Sequence, residues 1–359
     1  MTLLERIQTG PVLFDGGTGT LLQERGLGPG ELPETWNLSR PEEIVALHKA
    51  YLAAGANILK TNTFGANRLK FDGDTLPRII DAAVQNARQA IAETGANAFV
   101  ALDIGPCGKL LKPLGDLDFE DAVALFAEVV RLGVAAGVDL ILCETFTDAY
   151  ETKAAVLAAK ENSDLPLFVT NAYDEGGKLM TGADPAAMVA LLEGLRVDAL
   201  GLNCSLGPDK IRPIAEKLAT LTSLPLIVNP NAGLPRVENG RTVFDVSPAA
   251  FAAGMAPIMA AGARLVGGCC GTTPAHIAAL REVAAITAIP PITKKDFTAV
   301  SSYTHAVRFG ERSLIIGERI NPTGKKLLKQ ALREGDIGYI LREGLAQQEH
   351  GAHILDVNV

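Results

Sequence analysis

The chain has 359 residues, 48% of them hydrophobic, and a formal charge of −8. No basic stripe is present, which makes nucleic acid and anionic membrane poor partners. Five cysteines, an odd number in a chain this long, do not build a disulfide framework and suit a reducing compartment. The opening MTLLERIQTG lacks a secretory layout. The apolar stretch 249–263 carries Gly254 and Pro257 and falls short of the ~18 residues that span a bilayer. The expected location is the cytoplasm.

Eight short apolar runs alternate with Ala- and Leu-rich helical stretches: PVLFDGG, ANILKTN, AFVALDIG, VDLILCET, PLFVTNA, VDALGLNC, PLIVNPN and ARLVGGCC. Continuous apolar strands followed by helices predict a parallel sheet covered by helices. Eight such units predict a (β/α)8 TIM barrel. A doubly wound sheet is the runner-up, but no G-x-G-x-x-G opens a helix after the first strand. Helix starts agree with this division. Ser39 with Glu42, and Pro41 between them, predicts a capping box. Asp184–Pro185, Ser247–Pro248 and Thr273–Pro274 share a cap-then-proline form.

One regularity bears on function. Counting seven residues on from Gly55, Gly137, Arg196 and Gly262 reaches Asn62, Glu144, Asn203 and Cys269. All four are polar or metal-capable, and each closes an apolar strand. In a parallel barrel these positions fall at the C-terminal rim, where active sites of this architecture are built. Polar strand ends that merely meet water are the plainer alternative; they explain Asn62 well and thiols poorly.

Cys204 ends the sixth strand, and Cys269 and Cys270 end the eighth, so their loops converge on one side of the mouth. Adjacent strand residues point to opposite faces, but Gly267, Gly268 and Gly271 permit backbone conformations that would turn both sulfurs to one point. Three thiolates suit zinc, with a fourth position open for substrate; Asn231 offers at most a weak fourth ligand. Three buried cysteines acting as small hydrophobes remain the alternative. Cys143 is assigned to the core, and Cys107 to a loop without a nameable partner. An electron-rich zinc of this kind deprotonates a bound thiol and leaves it nucleophilic, which points to thiol alkylation.

The motifs DGGTGT (Asp15–Thr20), TNTFGAN (Thr61–Asn67), DIGPCG (Asp103–Gly108), ETFTD (Glu144–Asp148), GLNCSLGP (Gly201–Pro208), NPNAG (Asn229–Gly233) and GGCCGTTP (Gly267–Pro274) are similar to the homocysteine S-methyltransferase family. The resemblance runs from about residue 10 to 290, through every rim loop in order. It implies Cys204, Cys269 and Cys270 as zinc ligands, with homocysteine adding its sulfur. Within the family the closest resemblance is to the homocysteine-binding module of the cobalamin-dependent methionine synthases. SLIIGERINPTGKKL and GAHILDVNV look like the opening of the pterin-binding barrel that follows there. The resemblance thus implies methylcobalamin on another domain as methyl donor and methyltetrahydrofolate in the full enzyme, with cobalamin-binding and folate-binding modules as partners. Domestic rivals are family members that take methyl from S-methylmethionine or betaine, and, further off, a pterin-binding or aldolase-type barrel with structural cysteines.

The expected organisation is a homocysteine- and zinc-binding barrel over 1–289, a linker over 290–312, and the truncated start of a second barrel over 313–359. Two strands cannot bury their own apolar faces, so the tail is expected to be disordered, docked on the barrel or paired with another chain. Glu318, Asn321, Asp356 and Asn358 would belong to an incomplete folate site. Homocysteine is a zwitterion. Its ammonium calls for a rim carboxylate, Glu144 with Asp15 as helper. Its carboxylate calls for donors, the backbone amides of Gly16, Gly17, Thr18 and Gly19 and the Thr18 hydroxyl; Asn231 could also meet its polar end. No histidine is needed as a general base.

Overall fold

The computed structural model describes residues 2–238 and 241–358. Eight parallel strands form one sheet: β1 (Val12–Leu13), β2 (Ile58–Lys60), β3 (Phe99–Ile104), β4 (Leu140–Phe146), β5 (Leu167–Asn171), β6 (Ala199–Asn203), β7 (Leu226–Asn229) and β8 (Ala263–Val266). Each pairs with its sequence neighbour from β2 to β8, β8 pairs with β1, and a bridge between Phe14 and Ile58 closes the ring. The (β/α)8 barrel is therefore complete, with no exposed sheet edge.

Alternation along the strands sorts the side chains. Val12, Phe14, Ile58, Ala101, Leu140, Leu142, Phe168, Ala199, Ile227 and Leu265 pack inside the barrel, and Leu3 and Ile7 of an N-terminal helix plug its lower end. The intervening residues, such as Leu13, Leu59, Leu102 and Cys143, pack outward against the helices. Period two then carries upward. Two residues above Ile58, Ala101, Leu142 and Ile227 lie Lys60, Asp103, Glu144 and Asn229, all buried. An apolar floor thus carries a polar ring just below the mouth.

The helix ends explain the seven-residue rule. Gly55, Gly137, Arg196 and Gly262 all have positive φ, from +57° to +128°. Each is the left-handed stop that turns a helix into the next strand, so a fixed count from it reaches the same barrel level. Asp184 and Ser247 cap their helices through bonds from the Ala187 and Ala250 amides. The Ser39 capping box does not form. Ser39 instead closes the short helix Trp36–Ser39, donating its hydroxyl to the Thr35 carbonyl, and Arg40 stands at the N-cap of the next helix, where Pro41 alone sets the start.

After the barrel, a small antiparallel hairpin (Ala299–Ser301 with Ala306–Arg308) leans on the rim. Tyr303 stacks on Tyr150 at 4.3 Å and donates its hydroxyl to Asp148, while the Asp184 amide donates to the Thr304 carbonyl. Beyond it, strands Ile316–Ile320 and Ile354–Val357 pair in parallel across two helices, Lys326–Glu334 and Ile337–Glu349. This unit folds around Ile320, Leu328, Ala331 and Gln347. As expected of two strands, it leaves apolar side chains uncovered: Leu327, Ile337, Leu341 and Leu345 are each more than half exposed. Glu318 and Asp356 are exposed on its adjacent strands, Asn358 is exposed just past the second, and Asn321 Oδ1 accepts from the Thr323 amide. Among the described residues, no helix is long and apolar enough to cross a membrane.

Candidate active site

A cavity of about 290 Å³ opens at the C-terminal mouth. Its wall includes Gly16–Thr20, Lys60, Asp103, Glu144, Thr145 and all three rim cysteines, with Phe64, Leu32 and Pro33 at the lip.

The sulfurs of Cys204, Cys269 and Cys270 lie within 4.8 Å of one another, the Cys204–Cys270 pair at 3.9 Å. Backbone geometry achieves this differently from the sequence expectation. Gly271 has φ +76°, but Gly267 and Gly268 do not enter the left-handed region. Those two are glycines for space: a Cβ on Gly267 would meet Phe14 Cβ at 2.6 Å, and one on Gly268 would meet Thr272 Oγ1 at 2.2 Å. The unusual turn is at Cys204 and Ser205, with φ +59° and +58°. It is held by the Cys204 amide on the Asn229 carbonyl and the Asn231 amide on the Leu206 carbonyl. Asn231 Oδ1 accepts from the Cys270 amide at 3.0 Å, fixing that turn. The hydrogen bond with Cys204, the larger cause, and burial hold the Cys269 thiol well above the ordinary thiol range.

Asn203, one of the four counted rim positions, binds the trio to its neighbours. Its Oδ1 accepts from the Thr145 amide and the Thr170 hydroxyl, and its amide nitrogen faces Cys269 Sγ at 3.8 Å. Thr145 also has positive φ, +69°. Asn62 does not line up with these groups as a reactive residue: its side chain donates to the Pro33 carbonyl and to Asn37, tying the 32–37 segment to the rim.

Opposite the sulfurs stands a buried charge cluster. Lys60 Nζ lies 3.3 and 3.4 Å from the two Glu144 oxygens and 4.0 Å from Asp15 Oδ1. Burial works to lower the Lys60 ammonium, but the charges of Glu144 and Asp15 outweigh it and hold it well above the usual lysine value. Asp15 is not part of the cavity wall. It sits behind it, accepting the Lys60 amide on Oδ2 at 2.9 Å, and burial pushes its carboxyl up to about 7 against the pull of Lys60. Burial first, and then the charge of Glu144, holds Asp103 well above the carboxylate range.

Gly16, Gly17 and Thr18 line the cavity as expected, but the Gly17 amide is already spent on Thr272, on its carbonyl and on its hydroxyl at 3.0 Å. Cys143 faces the helices, and Cys107 has a partner after all, its amide donating to Glu151. Among the described residues, no histidine lines the cavity. Sequence reasoning missed Lys60 and Asp103. The signal was present: a charge two residues above an inward apolar residue in ILK and in ALD is placed inside by alternation alone.

The closed barrel and a thiol trio facing a charged pocket at its C-terminal mouth define a TIM-barrel enzyme built around sulfur. The chain belongs to the homocysteine S-methyltransferase family, whose pattern matches residues 12–284. It is 33% identical over 387 residues to the methionine synthase of Mycobacterium leprae (strain TN), with 100% of this chain and 31% of that protein aligned. The methionine synthase of Mycobacterium tuberculosis (strain ATCC 25618 / H37Rv) is likewise 33% identical, over 99% of this chain and 32% of its own length. The chain thus spans about a third of the relatives it matches. The solved metallated form of the homocysteine methyltransferase MmuM from Escherichia coli superposes with a TM-score of 0.67 at 28% identity, covering 78% of this chain and 98% of that one. The oxidized form gives 0.66 at 29% identity.

Proposed function

We propose that the chain binds homocysteine by its sulfur and its ammonium and passes a methyl group to that sulfur, giving methionine. The observation that carries this reading is the sulfur trio. A tetrahedral zinc with bonds of ~2.3 Å sets its sulfurs about 3.8 Å apart, and the Cys204–Cys270 separation of 3.9 Å is of that size. Cys204, Cys269 and Cys270 would hold the metal, and Asn231 sets the Cys270 turn. Zinc there supplies a deprotonated, still nucleophilic substrate thiol.

The protein's own groups do the rest. Glu144 accepts the substrate ammonium, and Asp15 fixes Lys60 beneath it. Thr18 and the amides at Gly16 and Thr18–Thr20 receive the carboxylate, in place of the committed Gly17 amide. In the transfer, a sulfur lone pair forms the new S–CH3 bond while the electrons of the donor–methyl bond leave with the donor. No side chain needs to take a proton in that step.

We assign methylcobalamin, carried by another part of a longer enzyme and recharged from methyltetrahydrofolate, as the donor. The support is the tail: the methionine synthases align over this whole chain, whereas MmuM aligns over 78% of it. On this reading 1–289 is the homocysteine barrel, 290–312 the linker, and 313–359 opens a folate-binding unit that includes Glu318, Asn321, Asp356 and Asn358. The test measures zinc per chain in the wild type and in Cys204→Ala, then homocysteine methylation from free methylcobalamin and from S-methylmethionine. About one zinc, lost in the variant together with methylcobalamin-dependent turnover, is expected. Transfer from S-methylmethionine alone would overturn the donor assignment, and zinc retained in Cys204→Ala would overturn the metal site.

A further inference from the structure

Glu144 is the carboxylate proposed for the substrate ammonium, yet both of its oxygens already face Lys60 Nζ. An α-ammonium has three N–H groups and needs more than one shared acceptor. Asp15 cannot supply the second, because it lies behind the wall with Oδ2 on the Lys60 amide. Asp103 can. It lines the cavity, its residue is 6% exposed, and its Oδ1 has no hydrogen-bond partner. Its backbone is held on β3, the amide donating to the Thr61 hydroxyl and the carbonyl accepting from the Thr63 hydroxyl. A buried carboxylate oxygen without a donor is an expensive feature to retain unless something supplies the donor. Glu144 and Asp103 stand on neighbouring strands, β4 and β3, Asp103 pairing with Leu142, two residues before Glu144 on the same inward face. The charge count agrees: ionised Asp15, Asp103 and Glu144 around a single lysine leave the cluster two cations short, and an incoming ammonium supplies one.

Resting on the homocysteine reading above, we infer that Asp103 is a further substrate-binding residue: its carboxylate accepts the α-ammonium alongside Glu144, while Lys60 stays as the positioning cation between Glu144 and Asp15. Asp103 therefore selects amino thiols over thiols that lack the amine.

The test measures dissociation constants of zinc-loaded protein for L-homocysteine and for 4-mercaptobutanoate, its des-amino analogue, in the wild type and in Asp103→Asn. The amide keeps the shape and removes the charge; Asp103→Ser serves as a second variant, and a melting curve of each confirms folding. The wild type is expected to prefer homocysteine. Both variants should weaken homocysteine about tenfold or more, the effect of losing a hydrogen bond to a charged group, and leave 4-mercaptobutanoate within about twofold. An unchanged preference in folded Asp103→Asn overturns the inference while the homocysteine reading stands. A wild type that binds neither thiol overturns both.

Discussion

Lys60→Met removes the only lysine from a ring of buried carboxylates. At 3.3 Å from Glu144, an effective dielectric of about 20 gives an attraction of about 5 kcal/mol. Desolvation offsets part of the pair's net worth, but deleting one member leaves the other charged and alone, which typically costs about 3–5 kcal/mol. We expect a loss of that size at pH 7. The loss must depend on pH. Asp15 and Asp103 already lie above the carboxylate range with Lys60 present, and they rise further without it. A raised acid keeps its proton in the folded state where the unfolded chain has released it, so stability falls as pH rises above about 4. The variant's deficit should therefore be small near pH 4 and full near neutrality. Urea unfolding can follow Trp36, the single tryptophan, which is fully buried. A second substitution, Glu144→Gln, should recover part of the loss, with a coupling energy above about 1 kcal/mol. A deficit below about 1 kcal/mol at pH 7, or one that does not change between pH 4 and 7, would refute the electrostatic reasoning.

Cys204 holds a left-handed φ of +59°, a conformation that penalises a side chain by about 1–2 kcal/mol. In metal-free protein Cys204→Gly should be about 1 kcal/mol more stable than Cys204→Ala; the reverse order in denaturant titrations would show that the turn relaxes. His48 is buried on the helix Pro41–Ala54 with its Nε2 unpartnered, and burial lowers its pKa from 6.5 to about 4. A depressed base gives stability that is full above about 6.5 and lost as pH falls through about 4, roughly 3 kcal/mol in all. Comparing the wild type with His48→Met across pH 4–7 isolates that slope, and equal slopes in the two proteins would contradict it.

Much of this molecule was legible in its sequence because barrel strands are buried on both sides and read as unbroken apolar runs. The helix-stop residues added a ruler: a left-handed stop at Gly137, Arg196 or Gly262 starts each strand at one level, so counting located Glu144, Asn203 and Cys269. The same ruler pointed past Lys60 to Asn62, since it measures the rim and not the layer beneath. Asp103 was hidden differently, inside a motif whose turn residues drew attention to its end. The Ser39 cap failed because a short helix, Trp36–Ser39, consumes that serine, and nothing local distinguishes the last residue of one helix from the cap of the next. Hydrogen bonds between distant parts of the chain, such as Gly17 to Thr272 or Tyr303 to Asp148, join residues more than a hundred positions apart, and no periodicity reports them.

The two halves of the pocket place their cost in different terms. On the sulfur side the cost is backbone conformation: Thr145, Cys204 and Ser205 all take positive φ without being glycine. On the ammonium side it is solvation, carboxylates buried with too few cations. Both are states that a folded chain holds only when neighbouring structure overdetermines them. Asn203 is where the two sides meet, with one end of its amide on Thr145 next to Glu144 and the other facing Cys269. A side chain that binds both turns fixes the distance between the sulfur trio and the carboxylate cluster, and on the proposed function that distance would set the length of the amino thiol that fits. Burial keeps this ruler rigid, because the Asn203 carbonyl oxygen is already shared between the Thr145 amide and the Thr170 hydroxyl.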